Sequence, residues 1–289
     1  MEESAFIAAL RDLATHPAAR GLGDDAAVLE VGGETLVLTH DTLVQSVHVR
    51  TDEDPADIAW KLVAVNLSDL AAKGAVPLGL LVSHALGAGD ERFVEGLREV
   101  LAAHDAPLLG GDTVGGMAKR AWGCTAIGRA SHAPVPDRRG ARPGDAIHVT
   151  GELGRAMLGM EERGSGSAND LAYRRPTPLL AEGQALAPHV SAMMDVSDGL
   201  LLDCWRMAEA SGTCFELDSR SFPVAEPARK DACVRWGDDY QLLFTAPEGA
   251  SLPVLATRIG VVRPKEAALL VIDGETIQNS DGLGYSHRA

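Results

Sequence analysis

Aromatic residues make up only 4% of the 289-residue chain. Its core must therefore be built mainly from Ala, Leu and Val. The four cysteines, Cys124, Cys204, Cys214 and Cys233, form no CxxC pair. Their spacing suits neither a zinc site nor a disulfide framework, so a reducing cytoplasm is expected. Basic residues are in the minority, 26 Lys and Arg against 41 Asp and Glu, for a net charge of -15. That balance lacks the broad basic surface of a nucleic-acid binder. No apolar run reaches the roughly 18 residues of a membrane span. The opening MEESAFIAALRDLA has neither a basic start nor an apolar signal core. A soluble cytoplasmic protein is expected, with no membrane or nucleic-acid partner. The GxxxxGK[ST] phosphate loop and the protein-kinase HRD and DFG sets are missing too. Nucleotide binding, if present, needs another architecture.

The remaining composition, 46% hydrophobic and 23% charged, is that of a globular chain. Its length suits two domains of ordinary size or one large one. Apolar spacing predicts a helix over 3–15, with Phe6, Ile7, Leu10 and Leu13 on one face. AAVLEV and TLVLTH, joined by Gly32-Gly33, read as a hairpin. A polar loop is expected from Asp41 to Asp54, then a helix from Pro55 to about Ala72 with Ile58, Leu62, Val65 and Leu70 inward. Strands and helices continue to alternate, giving an α+β class of α/β type. The Pro-rich SHAPVPDRRGARPGD reads as a joint, dividing the chain into 1–133 and 134–289. RGSGSAND reads as a mobile Gly/Ser-rich loop.

Carboxylates recur where strands end and loops turn. In LLGGDTVGG, glycines beside Asp112 can expose amides to a phosphate while the carboxylate holds a magnesium ion. A plain Asx turn fits the same residues. In DVSDG, Ser197 and Asp198 can cap the next helix. Asp195 is harder to explain by capping, and two acids at one junction repel unless a cation intervenes. Asp69 falls among Leu67, Leu70, Ala71 and Ala72, where a buried lone carboxylate costs several kcal/mol unless paired or bound to metal; a solvated face is the alternative. Taken together, hard oxygen ligands beside glycine turns fit magnesium and a nucleotide.

GDDAA, THDTLVQSVH, NLSDLAAKGA, GGDT, RRGARPGD, VTGELG, DVSDGLLLD and GDDYQL occur in that order. The set resembles the thiamine-monophosphate kinase family of the aminoimidazole-ribonucleotide-synthetase-like superfamily, from about Gly21 to Tyr285. The resemblance implies an N-terminal mixed-sheet domain for ATP binding and dimerisation, and a C-terminal α/β domain that completes the site. It implies metal ligation by Asp24, Thr39, Asp41, Asp69, Asp112, Asp195 and Asp198. ATP contacts fall on Gly111, Asp112, Arg138 and Ser197. Contacts to thiamine monophosphate fall on His48, Asp238 and Tyr285. By residue type alone His48 is a surface histidine, and Tyr285 lies in a Gly-rich tail. Several Mg2+ ions, ATP as co-substrate, and a homodimer are implied.

Some positions depart from the family pattern. His40 stands where Ser or Thr is usual, Gln45, Ser46 and Val49 replace Glu, Gly and Phe, Lys73 replaces Met, and Asp238 replaces Glu. The implied reaction is direct in-line phosphoryl transfer with no side chain as general base. Alternatives are another ATP-using enzyme of the superfamily, of aminoimidazole-ribonucleotide-synthetase type, and a non-catalytic nucleotide-binding regulator. The first Cys lies at 124 and the chain ends His-Arg-Ala. These features set aside the selenophosphate-synthetase and hydrogenase-maturation members.

Overall fold

The computed structural model describes residues 3–265 and 268–286. The first half holds α1 (Glu3–Arg11), β1 (Ala27–Val31), β2 (Glu34–Val44), α2 (Pro55–Ala72), β3 (Ala75–Ala85), α3 (Asp90–His104), β4 (Leu108–Val114) and β5 (Ala121–Ala130). The second half holds β6 (Ala146–Thr150), α4 (Arg155–Glu161), α5 (Ala168–Arg174), α6 (Leu180–Leu186), β7 (Ala192–Asp195), α7 (Leu200–Ser211), β8 (Thr213–Leu217), α8 (Lys230–Trp236), β9 (Leu242–Ala246), β10 (Ala256–Pro264), β11 (Leu270–Ile272) and β12 (Glu275–Ile277). The class is α+β, built on two mixed sheets.

The first sheet runs β1-β2-β5-β3-β4, with only β3 and β4 parallel. The hairpin turns on Gly32 and Gly33, both at positive φ. β2 continues past Asp41 to Val44, where a loop was expected. β5 pairs with it through Val44↔Ala121, so its backbone groups are satisfied in the ladder. α1 stops at Arg11 rather than residue 15, and a short 3-10 turn over Pro17–Leu22 follows.

α2 starts where Pro55 sets the first turn and Asp54 accepts the Ala56 N–H at 2.9 Å. The expected single inward stripe is too narrow. α2 is buried almost all round, because it packs on β2, β3 and β5 on one side and on α6 and β7 on the other. Ala71 and Ala72 join Leu186, Met193, Leu242 and Phe244 in one apolar cluster. The helix ends at Gly74 (φ 59), where a Cβ would lie 2.5 Å from the Ala187 Cβ.

The second sheet runs β12-β11-β8-β10-β6-β9-β7 and packs α7 against Ile147, Met194, Phe215 and Leu243. The Gly/Ser-rich segment is more ordered than its composition suggests. Ser167 caps α5, and buried Asp170 accepts the N–H groups of Gly164 and Gly166 while pairing with Arg174. No described helix is long and apolar enough to cross a membrane.

Candidate active site

Because side chains alternate along a strand, Thr39 and Asp41 of β2 share the face that meets α2. The Thr39 hydroxyl donates to the Asp69 carboxylate. The Asp41 N–H donates to Asn66 Oδ1 at 2.9 Å. Ser68 faces the other way and donates to Asp195 Oδ2 at 2.5 Å, at the end of β7. α2 thus ties one sheet to the other through adjacent residues. The consequence is a carboxylate cluster: oxygens of Asp25, Asp69 and Asp195 lie within 4.8 Å of one another.

The GDD turn is held by three cations. Asp24 takes Arg20 on one oxygen and Lys73 on the other, both at 2.5 Å. Asp25 pairs with Arg138 and lies 2.6 Å from Lys73 Nζ. Asp25 Oδ2 is nevertheless buried with no hydrogen-bond donor aligned on it. Burial raises the Asp25 carboxyl, but Arg138 and Lys73 outweigh it and hold it at about 2. Asp69 and Asp195 have no cation of this kind among their principal neighbours. Burial, then the charges of Asp41, Asp195 and Asp25, push Asp69 well above the usual carboxylate range. Burial, then Asp25, raises Asp195 to about 8 despite the Ser68 hydrogen bond. Asp41 is raised as well, again chiefly by burial. Asp69 and Asp195 therefore resist ionisation unless a cation joins them, and among the described residues neither has an ion-pair partner. Hard oxygens converging on an electropositive deficit suit a divalent cation such as magnesium.

The DVSDG turn does not cap α7 in the expected way: the N-cap is Gly199, without a side-chain cap. Instead Asp203, inside the helix, accepts the N–H groups of Ser197 and Asp198, each at 3.2 Å. Arg206 bridges Asp198 at 2.5 Å and Asp203 at 3.2 Å. Three backbone bonds gather the remaining C-terminal motifs on this turn. The Asp238 N–H donates to Ser197 O at 2.8 Å, the Tyr240 N–H to Val196 O at 2.8 Å, and the Tyr285 N–H to Asp198 O at 2.9 Å. Gly237 permits the approach, since a Cβ there would lie 2.4 Å from Ser197 O. Asp238 adopts φ 57, and its carboxylate accepts from Lys61 Nζ at 2.7 Å and from the Tyr240 hydroxyl at 2.8 Å. Lys61, from the first half of α2, also lies 4.5 Å from the Tyr173 ring centroid.

Two expected groups stand apart from this cluster. Gly111 and Asp112 lie within β4 rather than in a turn, paired with Val82 and Ser83. Gly111 is needed there because a Cβ would lie 1.8 Å from Val82 O. The register Asp41↔Cys124↔Val82↔Gly111 puts Asp112, one residue on, on the sheet face opposite Asp41. His48 lies in the loop after β2, where its Nδ1 accepts the Val44 N–H at 2.9 Å. A surface cavity of about 840 Å³ is lined by Glu216, Asp218, Arg220, Arg258 and Arg263 around the second sheet, and no motif residue lines it.

Sequence reasoning gave the GDD metal role to Asp24 rather than Asp25, and passed over Lys61, Asp203 and Arg206. A signal existed for Asp203 in DVSDGLLLD, where it sits one turn into the helix. Nothing local marked Lys61, whose partner Asp238 is distant in sequence.

The family model for AIR synthase related protein, N-terminal domain, matches residues 23–130, and that for its C-terminal domain matches 142–262. Thiamine-monophosphate kinase of Escherichia coli (strain K12) is 35% identical over 304 aligned positions, which cover 93% of this chain and 92% of that protein. The chain belongs to the thiamine-monophosphate kinase family. Among solved members, AaThiL complexed with AMPPCP and TMP superposes with a TM-score of 0.89 at 28% identity, over 99% of this chain and 97% of that one. Thiamine-monophosphate kinase from Stenotrophomonas maltophilia K279a is 34% identical, with a TM-score of 0.76 over 94% of this chain and 96% of that one. The thiamine-monophosphate kinase fold thus extends over essentially the whole molecule.

Proposed function

We propose that the chain transfers the γ-phosphoryl group of ATP to the phosphate of thiamine monophosphate, giving ADP and thiamine diphosphate. The supporting observation is the convergence of Asp25, Asp69 and Asp195 beside the Ser197–Asp198 turn, in a member of this family. An acceptor phosphate oxygen attacks the γ-phosphorus as the bond to the β-bridging oxygen breaks. The acceptor's second pKa is about 6, so it is mostly ionised at neutral pH and needs no general base. Bound magnesium would screen the two anions and stabilise charge on the transferring group.

The chain's own residues hold and orient. Asp25, Asp69 and Asp195, with Thr39 and Asp41 alongside, would carry the metal. Ser197, Arg138, Gly111, Asp112 and Asp198 would serve the nucleotide and its ions. Asp238, Tyr285 and His48 would face the acceptor. The Asp203 brace fixes the Ser197 and Asp198 amides, so the turn is organised before substrate arrives.

The unit 1–133 would supply the β2–α2 part of the site and the unit 134–289 the rest. A homodimer fits the first sheet: β4 is an edge strand, and Val76, Leu81, Leu109 and Val114 are exposed on β3 and β4. A second copy packed there would cover them, with Asp112 at the contact. All four cysteines are buried, and Cys124, Cys204 and Cys233 are free thiols, which suits the cytoplasm.

The test is product identification after incubation with ATP, Mg2+ and thiamine monophosphate. Equal amounts of ADP and thiamine diphosphate are expected. ATP binding with no thiamine diphosphate formed would overturn the reading, and would favour a nucleotide-binding regulator or a different acceptor.

A further inference from the structure

Lys73 is a fully buried lysine at the end of α2, and a mechanism of phosphoryl transfer gives it no part. Its Nζ has three oxygen neighbours: Asp24 Oδ1 at 2.5 Å, Asp25 Oδ2 at 2.6 Å and the Met193 carbonyl at 3.1 Å. Two carboxylates of one turn and a main-chain carbonyl of β7 form an oxygen set of the kind that holds a cation. Both carboxylates lie at ion-pair distance from the buried ammonium. The second oxygen of Asp24 is taken by Arg20. Asp24 is thus neutralised by two cationic side chains, whereas among the described residues Asp69 and Asp195 have no ion-pair partner.

We propose that Lys73 is a resident cation that takes the place of one divalent ion at the Asp24–Asp25 end of the site. It is a positioning residue: it orients Asp25 toward Asp69 and Asp195 without contacting substrate. The chain consequently binds one ion fewer than the same site would with an uncharged residue at 73. A divalent ion on the Asp24 and Asp25 oxygens would have to sit against the ammonium, and the two positive charges exclude each other. The inference rests on the proposed metal site but not on the identity of the acceptor.

The experiment counts Mn2+ bound per chain in the presence of AMPPCP, by electron paramagnetic resonance titration of wild type and Lys73→Met, with no acceptor present. Lys73→Met should bind one more Mn2+ per chain than wild type, and Lys73→Met/Asp24→Asn should lose that extra ion. Equal counts in wild type and Lys73→Met would overturn the proposal, as would an extra ion that survives Asp24→Asn. A residue that only braced the fold would lower the melting temperature without changing the count. If wild type binds no Mn2+, the metal reading itself fails and this one with it.

A measurement on wild type alone covers the case in which Lys73→Met does not fold. In crystals grown with Mn2+ and AMPPCP, no anomalous peak should lie within coordination distance, about 2.0–2.6 Å, of an Asp24 oxygen. A peak there overturns the proposal.

Discussion

Ser68 and Asp195 meet in a 2.5 Å hydrogen bond that joins α2 to the end of β7. Neither residue reaches the other along the chain; the contact exists only because α2 is shared by the two sheets. The hydroxyl donates to an oxygen of a metal-cluster carboxylate, so it aims that carboxylate. Ser68→Ala is expected to weaken Mg2+ binding about 10–100-fold, the usual effect of removing a partner behind a ligand. The Mg2+ concentration for half-maximal activity checks this. An unchanged value would contradict the role.

Asp238 is held by Lys61 and Tyr240 beside the Ser197–Asp198 turn. Asp238→Asn should raise KM for thiamine monophosphate several-fold and leave KM for ATP nearly unchanged. Lys61→Met should do more harm, because a partly buried carboxylate then loses its cation, at a cost of about 2 kcal/mol in stability. His48→Ala should likewise act through acceptor KM. A His48→Ala enzyme whose kcat fell by orders of magnitude at unchanged KM would point to proton transfer and contradict the metal-and-positioning account.

Asp170 organises the segment 163–170. Its carboxyl is lowered to about 2 from the ordinary 3.8, chiefly by Arg174, with burial opposing and the Gly166 and Gly164 amides assisting. A group lowered in the folded chain adds stability above its unfolded pKa and loses it as pH falls through the folded pKa. Asp170→Asn should therefore melt below wild type at pH 7, and the gap should close between about pH 4 and pH 2. Thermal unfolding of both proteins across that range is the check. A gap independent of pH would show that the charge does not matter.

The exposed side chain of Leu81 on β3 belongs to the surface assigned to a second copy. Leu81→Arg should shift sedimentation from dimer to monomer and reduce activity in parallel, because Asp112 lies at the same contact. A fully active monomer would remove the dimer from the account.

How far these features were legible follows from the range of the interactions that set them. The β1–β2 hairpin and α2 could be read because their signals, Gly32-Gly33 and Asp54-Pro55, are local. The extension of β2 past Asp41 depends on pairing with β5, some eighty residues away in sequence, and no local pattern announces it. GGD reads as a turn because glycine usually marks one, yet Gly111 is there to let β4 run against Val82. In GDD the two aspartates are indistinguishable by type. Arg20, at φ 48, and Lys73 occupy both oxygens of Asp24, and Asp25 is the one that joins Asp69 and Asp195. Burial of Lys61 and Lys73 is a tertiary fact, invisible while each is read as an ordinary helix lysine.

The most direct test is acceptor-dependent ADP release from ATP and Mg2+, measured for wild type and Asp69→Asn. Asp69 stands at the centre of the cluster, with Thr39 on its carboxylate and Asp25 and Asp195 in reach. The account predicts ADP release that requires thiamine monophosphate in wild type. In Asp69→Asn turnover should fall at least about 1,000-fold, in line with the loss of several kcal/mol of metal-supplied transition-state stabilisation. An Asp69→Asn protein that turns over thiamine monophosphate at near wild-type rate, with the same Mg2+ dependence, would contradict it.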